Sequence, residues 1–419
     1  MKQVLSLLLI MMFTITTACG ASLTKPKLES DKGVTNMSSK QPTDLMNSRT
    51  TFAFSIYPHL LKEQQNENTF ISPVSIMLAL MMAYNGSDGE TREAMQTALK
   101  LDGVSLKEAN QANQTLMQDM EKSDEHVQLQ IANSLWGREG IAFEEAFMNR
   151  VQDYYDAEVQ SLDFDQLEAS KTINQWVSDQ TNDKIKKIVG DPISKDTILF
   201  LINAIYFNGK WEKPFDPKLT EDDTFHMLDS DTKQHPYMNQ NGKFQYYQAD
   251  TFQAAALPYG DGATSMYIFL PEEASSLQEF HKQLTADNWA SWLSSFQEQK
   301  GVVALPKFKL EYELELKNAL SAIGMGVAFE DGKADFTNIV IDKASSPFIS
   351  SVKHKTYVDV HEEGTEAAAV TAIEVSVTSL NTNAPEPFEM KVDRPFFIVI
   401  RDNQTEAILF MGSIFEPKL

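Results

Sequence analysis

Apolar residues recur along this chain at helical and strand periods, and the alternation between the two sketches the elements. Phe52, Ile56 and Leu60 fall at helical spacing and open the folded part near Thr51. Asn68-Thr69-Phe70-Ile71 reads as a short strand. Ser72-Pro73 then starts a helix, with Ser as N-cap and Pro at the first helical position. That helix is apolar on nearly every side through Tyr84, so it should be buried, and Asn85-Gly86 ends it. Helices follow over 90–99, after Leu106, and over 143–155. Val127, Leu129 and Ile131 alternate as a strand, and 159–164 reads as another. Ile173-Asn174-Gln175-Trp176-Val177 predicts a helix ending near Ile188. The apolar, β-branched and aromatic run Thr197 to Asn208 predicts a strand in the middle of a sheet. Antiparallel strands are expected over 225–271, mostly helix over 277–296, a strand over 351–360, and a closing hairpin around Asp402-Asn403-Gln404.

One stretch combines two periods. From Thr365 every second residue is Thr, Ala, Ala, Thr, Ile, Val, Val, while Glu366 and Glu374 belong to the intervening set. One face is small and then apolar, which suits a strand that becomes buried. Gly364 permits an unusual backbone, Ala favours helix, and Asn381 to Pro385 is loop-like. The pattern fits either an edge strand followed by a linker or a loop able to become a strand.

Nothing repeats at a period of 20–50 residues and no Pro/Gly-rich linker divides the chain after residue 50, so a single α+β domain with mixed, mainly antiparallel sheets is expected. The chain has 419 residues, 42% hydrophobic residues and five Trp, enough for a large core. A formal charge of −23 argues against nucleic acid or an anionic lipid surface as partner.

Met1-Lys2-Gln3, an apolar run from Val4 to Ile15, and the small residues before Cys19 read as a secretory signal over 1–18, too short to span a membrane. Cys19 is the only cysteine, so no internal disulfide forms. Its position resembles a lipoprotein box, although Thr16 stands where such boxes usually carry Leu. The expectation is a lipidated Cys19, a polar tether over 19–48, and a folded domain over 49–419, extracellular or on the cell surface and anchored through that lipid.

The chain carries no Gly-x-Ser-x-Gly elbow, phosphate loop or nucleotide fingerprint. His361-Glu362 lacks a second His at helical spacing, and a single Cys excludes Cys-based metal sites. No enzymatic activity, cofactor or metal is expected.

Several motifs, in order and spacing, resemble the serpin family over about residues 50–419. They include Asn68 to Ile76, Ile173 to Val177, Asn203-Ala204-Ile205-Tyr206-Phe207-Asn208-Gly209-Lys210-Trp211, and Leu305-Pro306-Lys307-Phe308. Near the end come Glu362-Glu363-Gly364-Thr365-Glu366-Ala367-Ala368-Ala369, then Asp393-Arg394-Pro395-Phe396 and Leu409-Phe410-Met411-Gly412. The resemblance implies three sheets, eight or nine helices, and an exposed reactive-centre loop over about 362–391. It implies a suicide-substrate inhibitor of serine proteases, with papain-like cysteine proteases as further targets. The protease cleaves the loop, and the cut loop enters the central sheet as a new strand.

By the same resemblance Glu362, Gly364, Thr365, Glu366, Ala367, Ala368 and Ala369 form the hinge. Trp211, Lys307 and Glu362 form the breach where insertion starts. Ser72, Ser75, Asn203 and His354 form the polar shutter beneath it. Without the resemblance, His354 reads as a satisfied core histidine and Lys307–Glu362 as a surface ion pair. Family spacing from Glu362 places the scissile bond between Thr378 and Ser379, with Val377 and Leu380 as alternatives because the loop is long. No Arg or Lys lies between Glu366 and Pro387, which disfavours trypsin-like targets and fits elastase-, subtilisin- or chymotrypsin-like ones. A monomer that forms a covalent acyl complex with its target is expected.

Overall fold

The computed structural model describes residues 42–121, 126–228, 231–343, 347–365 and 386–419. Helix α1 (Pro42–Glu63) buries Phe52, Ile56 and Leu60 completely. It starts inside the stretch expected to be tether: Ser48 is buried and Arg49 donates to the Ala112 carbonyl. Few large apolar residues mark this first part of α1, which is why composition alone placed it in the tether. Residues 1–41, with Cys19, lie outside the described residues.

β1 (Thr69–Ile71) leads through the Ser72 cap into α2 (Pro73–Tyr84), whose first-turn Ser75 N–H donates to the Ser72 hydroxyl at 3.3 Å. As its composition predicts, α2 is buried along almost its whole length. Then come α3 (Gly89–Ala98), α4 (Leu106–Met120), β2 (Val127–Arg138), α5 (Glu145–Tyr155), β3 (Glu158–Leu162) and α6 (Leu167–Gln180). The helix expected to run to Ile188 stops at Gln180. Asn182 and Asp183 adopt left-handed backbone, with φ 46° and 61°, and the Thr181 hydroxyl turns back onto the Val177 carbonyl.

β4 (Leu199–Lys210) is the central strand expected over 197–208. β5 (Glu221–His226), β6 (Thr232–Gln248), β7 (Phe252–Tyr259) and β8 (Thr264–Pro271) follow, then α7 (Leu277–His281) and α8 (Ala286–Ser295). β9 (Gln297–Pro306), β10 (Phe308–Glu315), α9 (Lys317–Leu320), β11 (Lys353–His361) and the two-residue β12 (Gly364–Thr365) lead to β13 (Phe388–Lys391) and the hairpin β14 (Phe396–Asp402)–β15 (Ile408–Ile414).

One sheet has the order β10-β11-β12-β4-β2-β3, antiparallel except where β3 joins β2. A second ladder runs β1-β15-β14-β8-β7-β6-β9-β13, with β5 also on β6. The long β6 serves both parts of this ladder: Gln245–Gln248 pair with β7, and Thr232–Tyr237 with β5. β5, β6, β9 and β13 therefore make the third sheet, continuous with the second. The main core lies between the sheets and α2, and a separate apolar cluster joins α6 to the outer face of β2 and β4.

Candidate functional site

The alternation in β11 buries His354, Thr356, Val358 and Val360 and turns Lys353, Lys355, Tyr357 and Asp359 outward. In β4, Asn203, Ile205 and Phe207 share the inner face, while Phe200 and Ile202 belong to the outer cluster with α6. Among the described residues no ladder joins β4 to β11. Of the described strands, β12 alone lies between them, antiparallel to both: Gly364 faces Lys210 and His361, and Thr365 faces Gly209 and Val360. Beyond that point the facing edges of two neighbouring strands are not bonded to each other.

Gly364 sits so close to β4 that a Cβ would strike the Gly209 carbonyl oxygen and lie 2.7 Å from Lys210 Cα. Thr365 is buried, its hydroxyl 2.7 Å from that of Tyr259. The Tyr259 ring stacks on Trp211, centroids 4.3 Å apart, and the Trp211 indole N–H donates to the His361 carbonyl at 2.9 Å. The Trp211 backbone N–H donates to Glu363 O and that of Phe215 to Glu362 O, so the segment after β4 holds the turn 361–363 by two backbone bonds. Lys307 Nζ lies 2.8 Å from Glu362 Oε2, and the Thr220 hydroxyl donates to Oε1 at 2.9 Å. Burial opposes charge on Glu362, but hydrogen bonds from Lys307, its own backbone N–H and Thr220 outweigh that and hold the carboxyl below its ordinary value. This pair is therefore more than a surface ion pair, for the Glu362 side chain is only 12% exposed.

Deeper along the same opening, the Ser72 backbone N–H donates to His354 Nε2 at 2.9 Å. An accepting Nε2 makes the imidazole neutral, with its proton on Nδ1. Burial pushes its pKa down to about 3, which agrees with that state. From β4, Asn203 Nδ2 donates to Asn133 Oδ1 at 2.8 Å, and Asn133 in turn to the Tyr155 carbonyl at 2.7 Å. Asn203 Oδ1 is buried and has no donor among the described residues. Ser75, Asn203 and His354 line a cavity of about 760 Å³ floored by α2 and flanked by β4 and the start of β11. An orphan acceptor beside a gap between two strand edges is an arrangement that an entering strand would complete.

The structure thus brings together Trp211, Lys307, Glu362, Gly364 and Thr365 at the head of the opening, and Ser72, Ser75, Asn203 and His354 along it. The other residues expected in the hinge, Glu366, Ala367, Ala368 and Ala369, and the scissile-bond candidates Val377, Thr378, Ser379 and Leu380, lie outside the described residues. Sequence reasoning missed Tyr259, Thr220 and Asn133. Asn133 had a signal, as a polar residue on the inward face of an otherwise apolar strand; Tyr259 and Thr220 had none without the fold.

The model of the serpin (serine protease inhibitor) family matches residues 47–417. An uncharacterized serpin-like protein of Methanosarcina acetivorans is 35% identical over 405 residues, covering 93% of this chain and 91% of that protein. Human antithrombin-III is 32% identical over 400 residues, covering 93% of this chain and 85% of that protein. The crystal structure of tengpin, a thermophilic serpin in its native state, superposes with a TM-score of 0.80 at 29% identity, covering 93% of this chain and 96% of that one. With these residues gathered around one opening in the central sheet, the matches establish that the chain belongs to the serpin family, a family of serine protease inhibitors.

Proposed function

We propose that this protein is a suicide-substrate inhibitor of serine proteases. The observation that carries the reading is β12, bonded on both sides at the head of an opening whose flanking strands are not bonded to each other. A strand continuing its register would set Ala367 opposite Phe207 and Val358, and Ala369 opposite Ile205 and Thr356. Thr371 would come between Asn203 and His354, where a hydroxyl can donate to the orphan Asn203 Oδ1. All three are small, so entry is not slowed by bulk.

In this account the protease serine Oγ attacks the carbonyl carbon of Thr378. The bond to the Ser379 nitrogen breaks, that nitrogen leaves protonated, and an ester joins Thr378 to the protease. Hydrolysis of the ester by water competes with insertion. About 15 inserted residues extend to roughly 50 Å, enough to carry a tethered protease from one end of the sheet to the other. Each added ladder bond contributes roughly 0.5–1.5 kcal/mol net, so a strand bonded on both edges rivals a typical folding stability. Val377 and Leu380 remain alternative cleavage positions. Elastase-, subtilisin- and chymotrypsin-like enzymes are the proposed targets, with papain-like cysteine proteases secondary.

In the same reading the segment 1–18 is an export signal, a lipid on Cys19 holds the chain at the membrane, and the inhibitor acts as a monomer. Among the described residues no helix is long and apolar enough to cross a membrane. Mass spectrometry of the N-terminal peptide tests the anchor: an unmodified Cys19 removes it. Incubation with an elastase-like protease tests the inhibitory reading. A denaturant-stable complex is expected, and loop cleavage without complex would overturn it.

A further inference from the structure

Residues 181–198 join α6 to β4 and are fastened to one side of the sheet opening. Ile185, Val189 and Ile193 pack with Trp136 of β2, Ile202 of β4 and Ile173 of α6. The Asn174 side chain clamps the segment further, accepting from the Ile188 and Val189 N–H groups at 2.8 and 2.9 Å. Lys184, in this segment, nevertheless reaches β11: its Nζ lies 4.8 Å from the centroid of the Tyr357 ring. Tyr357 is on the outer face of β11, across the boundary from β4. The contact therefore spans the line along which β4 and β11 are not laddered together. A second cation, Lys309, lies over the same ring at 5.5 Å, but it comes from β10. β10 and β11 are joined by an unbroken ladder from Phe308↔Val360 to Glu315↔Lys353, so the Lys309 contact stays within one side. The same segment also covers the cavity, where Ile188, Val189 and Ile193 line it opposite Ile76 and Leu80 of α2.

We propose that Lys184 is a latch across the sheet opening and sets the rate at which a strand enters between β4 and β11. The latch rests on the inhibitory reading and adds a residue to it. The attraction of an ammonium for an aromatic face has no strict directionality, so the contact holds the outer surface without a backbone bond that insertion would have to break. A strand entering beneath must lift the segment 181–198, and loss of the Lys184–Tyr357 contact is part of that barrier. Lys184 is a positioning residue; it touches no reacting atom.

The test compares Lys184→Met, Tyr357→Leu, Tyr357→Phe and Lys309→Met in the full chain. Each uncleaved protein is held at a fixed temperature below its melting point, and conversion to a non-inhibitory, more heat-resistant form is timed. Partition between complex and cleaved inhibitor is measured beside it. Lys184→Met and Tyr357→Leu should each speed conversion about two- to fivefold, the range expected of an exposed cation–π contact. The double variant should be no faster than either alone. Tyr357→Phe keeps the ring and should behave as the unaltered chain, and Lys309→Met should as well. An unchanged rate in Lys184→Met overturns the latch. So does an equal acceleration by Lys309→Met, since that would trace the effect to the ring's charge environment and not to the crossing. Loop cleavage of the unaltered protein separates the two levels: if it brings no gain in heat resistance, the inhibitory reading fails and the latch with it. If the gain appears and Lys184→Met is unchanged, only the latch fails.

Discussion

The hydroxyls of Tyr259 and Thr365 lie 2.7 Å apart, buried, and join residues 106 positions distant in the chain. Tyr259 also stacks on Trp211, so Thr365 is seated against the aromatic pair that heads the sheet opening. Arg at this position would have to bring a charge into the buried position that Thr365 now fills against the Tyr259 hydroxyl. An unpaired buried charge costs several kcal/mol, and each 1.36 kcal/mol is tenfold in a rate. Thr365→Arg should turn the inhibitor into a substrate, with complex yield falling at least about tenfold while loop cleavage persists. Gel analysis of the reaction with an elastase- or subtilisin-like protease checks it; undiminished complex would contradict the role of the hinge.

The Lys307–Glu362 pair makes a second prediction. Lys307→Ala leaves a largely buried carboxylate with only Thr220 and backbone as donors, and should cost about 1–3 kcal/mol in denaturant unfolding. Because Glu362 titrates below its ordinary value, its contribution is present at neutral pH and is lost as pH falls through and below about 4.5. The difference between Lys307→Ala and the unaltered chain should therefore shrink in that acid range.

At milder acidity the histidines dominate. Burial lowers the pKa of His354 to about 3 and of His281 to about 4, and lowers that of His235 as well. The folded state then binds fewer protons than the unfolded one below pH 6.5, so stability rises with pH between the folded values and 6.5. Melting temperature should fall as pH is lowered from 7 to 5. His281→Asn, which removes one proton-linked group hydrogen-bonded to Ser413 at 2.7 Å, should flatten that slope. A slope equal to that of the unaltered protein would show that His281 is not the group responsible.

Register supplies the fourth prediction. If the loop continues β12 in step, Thr371 donates to Asn203 Oδ1, which has no donor among the described residues. Thr371→Val should then diminish the gain in stability on loop cleavage by about 1–2 kcal/mol. Asn203→Ala should abolish the effect of Thr371→Val. Independent, additive losses in the double variant would rule out the pairing.

Much of this architecture is legible from residue order because its determinants are local. Ser72-Pro73 sets the start of α2, the alternation in 353–360 fixes the faces of β11, and the unbroken apolar run of β4 marks a central strand. The end of α6 was not legible, because left-handed Asn182 and Asp183 depend on where the following segment must pack. Nor was the start of α1, where polar residues are held by partners far along the chain, such as Asn113 on Arg49. At the site, resemblance named Trp211, Lys307 and His354, but the orphan on Asn203 and the Tyr259–Thr365 contact exist only once distant strands meet.

The central claim is that the cut loop traps the protease before the ester hydrolyses. The most direct measurement mixes the protein with elastase-, subtilisin-, chymotrypsin- and papain-like proteases, boils the products in denaturant, and determines the mass and the new N-terminus. The account predicts a covalent complex with at least one serine protease and a released peptide beginning at Ser379, or within 376–381. Complete cleavage with no complex from any of them, or a cut outside that window, would contradict it.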